Sequence, residues 1–469
     1  MPRFARPRPT ATVLLTVLVA LAALVAACGA PSTPTPRSSV PPTSTPLATP
    51  ASTPGIGEVV PAPGSTSSIY EPNPGALVVA IDPGHGGCLD WGVPNPWDNT
   101  VDKAEKADTL AIGLALRDLL EAEGITVVMT RTDDSALAGD DYPQLGCNGP
   151  DWRDVDGNGE AGFEETGRTR TRDELQARLD FANLARADVL LSIHINSITQ
   201  DGVAYEIAVT ESYYDDETPW GETGSGELGR ALQRGVVAAL SGIAPYDRQD
   251  RGTEAVAYYI VSRQWESGDT CEAPGDTWCK PHRGAQLPVV LSEVGSMSLP
   301  AESELLATDA GRQAVAGGLL DGLRTYFGGR QLAARYDALL PGGLAGVPPA
   351  AMPGSGPMFW APALPAEGAA SGLLSLRLTN TGQGDWPAGM ELLVGWSASD
   401  QPYLATEPDD LVPAGVRVPR LGPGESVTLQ MPITPPSGAE RSIAWVTLSG
   451  GSGRLTDLGV PALQLSWKP

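Results

Sequence analysis

An α/β domain with a mostly parallel sheet and helices on both faces, followed by an all-β sandwich, is the fold class the sequence predicts. Two observations predict the first part. Four short, near-continuous apolar runs are separated by stretches with helical spacing, and they break into ionisable residues. Such runs read as parallel strands buried on both faces. A third observation, several alternating apolar/polar segments with turn signals after residue 358, predicts the sandwich.

Leu77–Ile81 is the first run and breaks into Asp82-Pro83-Gly84-His85-Gly86-Gly87. Lys103–Glu123 reads as a helix closed by Gly124, with Ile112, Leu116 and Leu119 on one stripe and Glu105 on that stripe near its start. Thr126–Met129 ends in Thr130-Arg131, Val189–Ile193 in His194-Ile195-Asn196, and Val289–Leu291 in Ser292-Glu293-Val294-Gly295. In open α/β sheets the ligand site lies beyond the carboxyl ends of the strands. Two of the chain's three histidines and one glutamate fall there.

An acidic residue on the buried stripe of a helix's first turn needs a partner, either the helix dipole or a metal ion. Two histidines and a carboxylate leave a fourth tetrahedral position open for water, the pattern of a catalytic zinc site. Zinc lowers the pKa of bound water to about 7, and hydrolysis needs a proton carrier, for which Glu293 is the candidate. On chemistry alone Glu71, Asp82 and Asp90 compete with Glu105. The bland readings are a loop residue for His85, a satisfied core histidine for His194 and a solvated loop histidine for His282.

The 469 residues suffice for roughly two or three domains. With 31 Lys+Arg against 56 Asp+Glu the net charge is −25, which argues against nucleic-acid binding. Arg3, Arg6 and Arg8 precede the apolar run Ala11–Ala27, the layout of a signal peptide. Val25-Ala26-Ala27-Cys28 resembles a bacterial lipobox, which implies acylation of Cys28. Residues 1–28 are thus expected to be a lipoprotein signal and residues 29–75 a Ser/Thr/Pro-rich tether. The expected location is the outer face of the cytoplasmic membrane, reached through a lipid anchor. Export permits disulfides. Cys88, Cys147, Cys271 and Cys279 are the candidates, with 271–279 and 88–147 the favoured pairing.

The ordered motifs resemble the third family of zinc-dependent N-acetylmuramoyl-L-alanine amidases. They are Val79–Gly87, Glu105-Lys106, Val127 with Thr130-Arg131, Arg178, Ala182-Asn183, Ala187-Asp188, Ser192–Asn196, Asp250-Arg251-Gly252 and Leu291–Gly295, with Glu302 and Leu305-Leu306 behind. The match spans about 250 residues, 76–328. Carried over by position, it implies that His85, Glu105 and His194 bind zinc and that Glu293 is the catalytic glutamate. The implied reaction is hydrolysis, by zinc-activated water, of the amide between the lactyl group of muramic acid and L-alanine in peptidoglycan.

Two insertions depart from the family, at 134–167 and 262–287. Thr210–Gly226 is too short and too rich in Asp, Gly and Ser for the regulatory helix some members carry, so autoinhibition of that kind is not expected. No activator protein is identified by the sequence. Within the first insertion, Asp154, Asp156, Asn158, Glu160 and Glu165 fit the D-x-D-x-N-G-x5-E pattern of an EF-hand-like calcium loop. A solvated acidic turn is its bland alternative.

Residues 329–357 read as an Ala/Gly/Pro-rich linker and 358–469 as the sandwich. Leu378–Gly382, Trp386–Gly389 and Pro423–Val427 resemble the immunoglobulin-like four-tryptophan domain of selective-autophagy receptors, with Trp386 expected in its core. Two competing functions are another zinc cell-wall hydrolase, and a catalytically silent, calcium-dependent wall-binding lipoprotein. Retention of all four key residues counts against the silent protein.

Overall fold

The computed structural model describes residues 77–87, 90–93, 104–138, 155, 171–185, 187–200, 203–218, 220–263, 284–340, 343–344, 372–398, 408, 410–434, 436, 442–451 and 453–467. The signal and tether, all five cysteines and the five calcium-loop residues lie outside them, as do most of both insertions.

The first half comprises β1 (Val78–Pro83), α1 (Glu105–Ala122), β2 (Thr126–Met129), α2 (Arg172–Leu184) and β3 (Val189–Asn196). A small hairpin of β4 (Thr199–Gln200) and β5 (Val203–Ala204) leads to β6 (Ala208–Tyr214), α3 (Glu227–Ser241) and β7 (Arg248–Ala255). The series closes with β8 (Val289–Ser296), α4 (Pro300–Leu306) and α5 (Asp309–Gly329). Six strands form one sheet in the order β2-β1-β3-β8-β6-β7. The four apolar runs are the parallel strands; β6 joins antiparallel to β8, and β7 lies parallel to β6.

Alternate residues of the runs face opposite layers, so both sets must be apolar. Val79, Ile81, Val127, Leu191 and Val290 pack with Ile112 and Leu116 of α1, Leu232 and Val236 of α3, and Leu319 and Leu323 of α5. Val78, Ala80, Val128, Leu190 and Leu291 pack on the other face with Leu179 and Ala182 of α2. The strands run past their apolar stretches: His194 and Glu293 lie within β3 and β8 rather than after them.

The second half holds β9 (Ala334–Leu340), β10 (Gly343–Leu344), β11 (Gly372–Asn380), β12 (Met390–Ala398), β13 (Val412–Val418), β14 (Ser426–Ile433), β15 (Ser442–Gly450), β16 (Gly453–Arg454) and β17 (Leu463–Trp467). Two antiparallel sheets, β10-β9-β11-β14 and β13-β12-β15-β16 with β17 on β15, share one core. Trp386 is fully buried there, its indole Nε1 donating to Ala333 O at 3.2 Å.

The expected linker over 329–357 requires correction. Ala334–Leu340 is not linker but strand β9, paired with β11 through Leu376↔Ala338 and Leu378↔Tyr336. Its charges conceal it: Arg335 pairs with Asp188 of the α/β domain and Asp337 with Arg377 at 3.2 Å. Partners that distant are invisible to local pattern.

Candidate active site and metal centre

The turn after β1 brings the first histidine to the carboxyl ends of the strands. Gly84 N donates to Ile193 O at 2.8 Å, carrying the β1–β3 pairing into the turn. A Cβ at Gly84 would lie 2.5 Å from His194 Cε1, so only glycine admits the second histidine here. His85 itself has φ +61°. Two arginines hold that backbone by its carbonyls. Arg178 donates to Pro83 O and His85 O at 2.9 and 2.7 Å. Arg131 donates to Pro83 O and Gly84 O at 2.9 and 3.0 Å. Behind them Asp82 is fully buried. Desolvation would raise its pKa, but Arg178 at 2.7 Å and the hydroxyls of Thr130 and Ser192 hold it below the ordinary range.

Glu105 opens α1 and is buried. Its Oε2 accepts from Val93 N at 2.9 Å and its Oε1 from Ile195 N at 2.8 Å. These bonds aim Oε1 at both histidines, 3.0 Å from His85 Nε2 and 3.2 Å from His194 Nδ1, while the two ring nitrogens are 3.0 Å apart. His85 Nδ1 lies 2.7 Å from Asp90 Oδ1. Burial would keep His85 neutral, yet Glu105 and Asp90 push its pKa up to about 10. The site therefore favours a positive charge between these groups.

Ligands around a tetrahedral zinc with bonds of 2.0–2.1 Å sit about 3.3 Å apart. Two imidazole nitrogens and a carboxylate oxygen at 3.0–3.2 Å fit that group. His85, Glu105 and His194 also form the His/Cys/Asp/Glu cluster suited to a metal among the described residues.

Glu293 is the register partner of His194 across β3 and β8. Its Oε2 is buried with no hydrogen-bond partner among the described residues. Burial, with the negative charges of Glu105 and Glu211, holds its carboxyl well above the usual carboxylate range. The structure thus brings together all four residues singled out by the sequence. Asp82 falls behind the turn, Asp90 is behind His85, and Glu71 and His282 lie outside the described residues.

The family model for N-acetylmuramoyl-L-alanine amidase matches residues 79–325. The chain belongs to that family. Its function is that of a peptidoglycan amidase, hydrolysing the bond between the lactyl group of muramic acid and L-alanine. An uncharacterized protein of Bacillus subtilis, YqiI, is 24% identical over 249 residues, 53% of this chain and 84% of that protein. The germination-specific N-acetylmuramoyl-L-alanine amidase of B. subtilis is 29% identical over 121 residues, 26% of this chain and 39% of that one. Among solved structures, the N-acetylmuramoyl-L-alanine amidase of Clostridium difficile 630 is 24% identical, with a TM-score of 0.36, over 54% of this chain and 97% of that chain. The catalytic domain of CwlV from Bacillus (Paenibacillus) polymyxa var. colistinus is 23% identical, with a TM-score of 0.34, over 53% and 97%.

Sequence reasoning missed one residue of the amidase site. Glu211 on β6 is the register partner of Glu293 and is buried beside it, accepting from Asn196 Nδ2. It lies outside the four apolar runs. The acidic Thr210–Gly226 stretch carried its only signal.

Proposed function

We propose that this amidase is a zinc enzyme in which His85, Glu105 and His194 hold the metal and Glu293 moves the proton. The observation that carries the reading is the meeting of His85 Nε2, Glu105 Oε1 and His194 Nδ1 at 3.0–3.2 Å beside an unpartnered buried Glu293 oxygen. When bound, zinc supplies a Lewis acid for the scissile carbonyl and lowers the pKa of water. Glu293 accepts the proton that the attacking water loses as its oxygen bonds the carbonyl carbon. It then delivers that proton to the alanine nitrogen as the C–N bond breaks. A carboxyl whose burial holds it above the ordinary carboxylate range is a stronger base than a solvated one, which suits it to take the proton from water. Asp90 orients His85, and the two backbone N–H bonds to Glu105 fix the carboxylate.

The chain before the catalytic domain supports an exported lipoprotein anchored through Cys28, and Asp154–Glu165 supports a calcium clip on the first insertion. The two antiparallel C-terminal sheets support an immunoglobulin-like sandwich with a wall-binding or spacing role.

The test is mass spectrometry of purified peptidoglycan digested by the protein from Gly29 onward, with and without a zinc chelator. Stem peptides with free L-alanine N-termini are expected, over uncut glycan, and only without chelator. Glu293→Gln should lower kcat by about 10²- to 10⁴-fold while retaining zinc. Turnover that survives complete zinc removal overturns the reading.

A further inference from the structure

Strand β7 carries a feature that the reaction above does not use. Thr210 of β6 faces Asp250, and Ser212 faces Thr253, so Arg251 and Gly252 together oppose the single residue Glu211. This is a β-bulge, turned at Gly252 with φ +78°, where any side chain would be strained. Asp250 fixes it, its Oδ1 accepting from Gly252 N at 2.9 Å and from Gln233 Nε2 at 2.7 Å. Bulges beside active sites re-aim side chains. Here Arg251 Nη1 is brought within 3.3 Å of Glu211 Oε2, level with Glu293.

The two partners are unequally held. Glu211's side chain is 7% exposed, whereas that of Arg251 is 38% exposed. The other arginines described around the site are committed. Arg131 and Arg178 are buried against turn carbonyls, and Arg248 against Glu302 and Thr210. Among the described residues Arg251 contacts Glu211 through one nitrogen, and its part-exposed side chain keeps further donors of a planar fork suited to a carboxylate. Glu211 beside it and Glu293, the register partner of Glu211, are both acidic, so an anionic substrate group is received on this side only where a fixed cation meets it.

We propose that Arg251 is a substrate-binding residue that takes a free carboxylate of the stem peptide, on the alanine side of the scissile amide. This rests on the amidase reading and adds a preference to it: stems with a free α-carboxylate on the residue after L-alanine bind better than stems amidated there. A carboxamide lacks the charge and offers a single acceptor to the fork.

The test uses uncrosslinked peptidoglycan strands whose second-residue α-carboxyl is either free or amidated, with the zinc-loaded protein. The wild type should show a KM about 10- to 100-fold lower for the free form, the worth of a charge-assisted pair, with similar kcat for both. Arg251→Gln should bring the ratio of the two KM values close to one, and Arg251→Lys should restore part of it. Each KM ratio is taken within one preparation, so partial misfolding does not move it. Equal KM values in the wild type, or a ratio unchanged in Arg251→Gln, overturn the role of Arg251. Failure of the wild type to release either stem overturns the amidase reading itself.

Discussion

His85 is the described non-glycine residue with a left-handed backbone, and a strained residue persists only where its surroundings over-determine it. Arg178 holds its carbonyl, and Asp90 Oδ1 holds its Nδ1 at 2.7 Å. A carboxylate on the far nitrogen of a ligating histidine fixes ring orientation and raises ligand basicity. Asp90→Asn keeps the shape but removes the charge, so zinc affinity should fall about 10- to 100-fold, as measured by competition with a chromogenic chelator. Undiminished affinity would make Asp90 a turn residue only. At this scale the sequence was informative, because His85, Glu105, His194 and Glu293 each stand in a recognisable motif. The partnerships were less legible. Asp90 entered the sequence reading as a rival ligand, and its position behind His85 depends on a turn whose path only the fold supplies.

Among the elements, α3 and α5 cross more closely than side chains allow. An ideal Cβ on Gly235 would lie 2.0 Å from Gly318 O, and one on Gly322 would lie 2.6 Å from Leu232 Cα. Gly235→Ala should therefore destabilise the domain by about 1–3 kcal/mol, despite alanine's better helix propensity, with a lower urea midpoint. Gly317, one residue from the crossing, has nothing within 4 Å of its Cβ position. There Gly317→Ala should stabilise by about 0.5–1 kcal/mol. Equal shifts in both variants would show that backbone entropy, not contact, sets these glycines. Strands buried on both faces were readable because burial forces an unbroken apolar run. Strand β7 was not, since it is an edge strand that contributes no apolar residue to the core from Arg248–Ala255. Its place is decided by pairing with β6, so the motif Asp250-Arg251-Gly252 was legible while the bulge it forms was not.

For the molecule as a whole, the sandwich is joined to the α/β domain at the end opposite the site. Asp188, just before β3, is largely buried; its Oδ2 accepts from Val78 N at 2.7 Å and pairs with Arg335 of β9. Arg330 Nη2 donates to Leu458 O at 2.9 Å across the same junction. A cleft of about 150 Å³ between Tyr326, Arg335, Tyr336 and Gln464 lies there as well. His194 and Glu293 lie toward the carboxyl ends of β3 and β8, at the other end of the strands from Asp188. Desolvation pushes the Asp188 carboxyl up, and Arg335 is the charge that opposes this. Arg335→Ala leaves a buried carboxylate with one backbone donor, a loss on the order of 3–5 kcal/mol. Because Asp188 also anchors the first residue of β1, the cost should reach the catalytic sheet and not only the sandwich. Thermal inactivation of amidase turnover should therefore shift several degrees lower in Arg335→Ala. Loss of sandwich structure alone, with the inactivation temperature unchanged, would show two independently stable halves and leave Arg335 as a local tie.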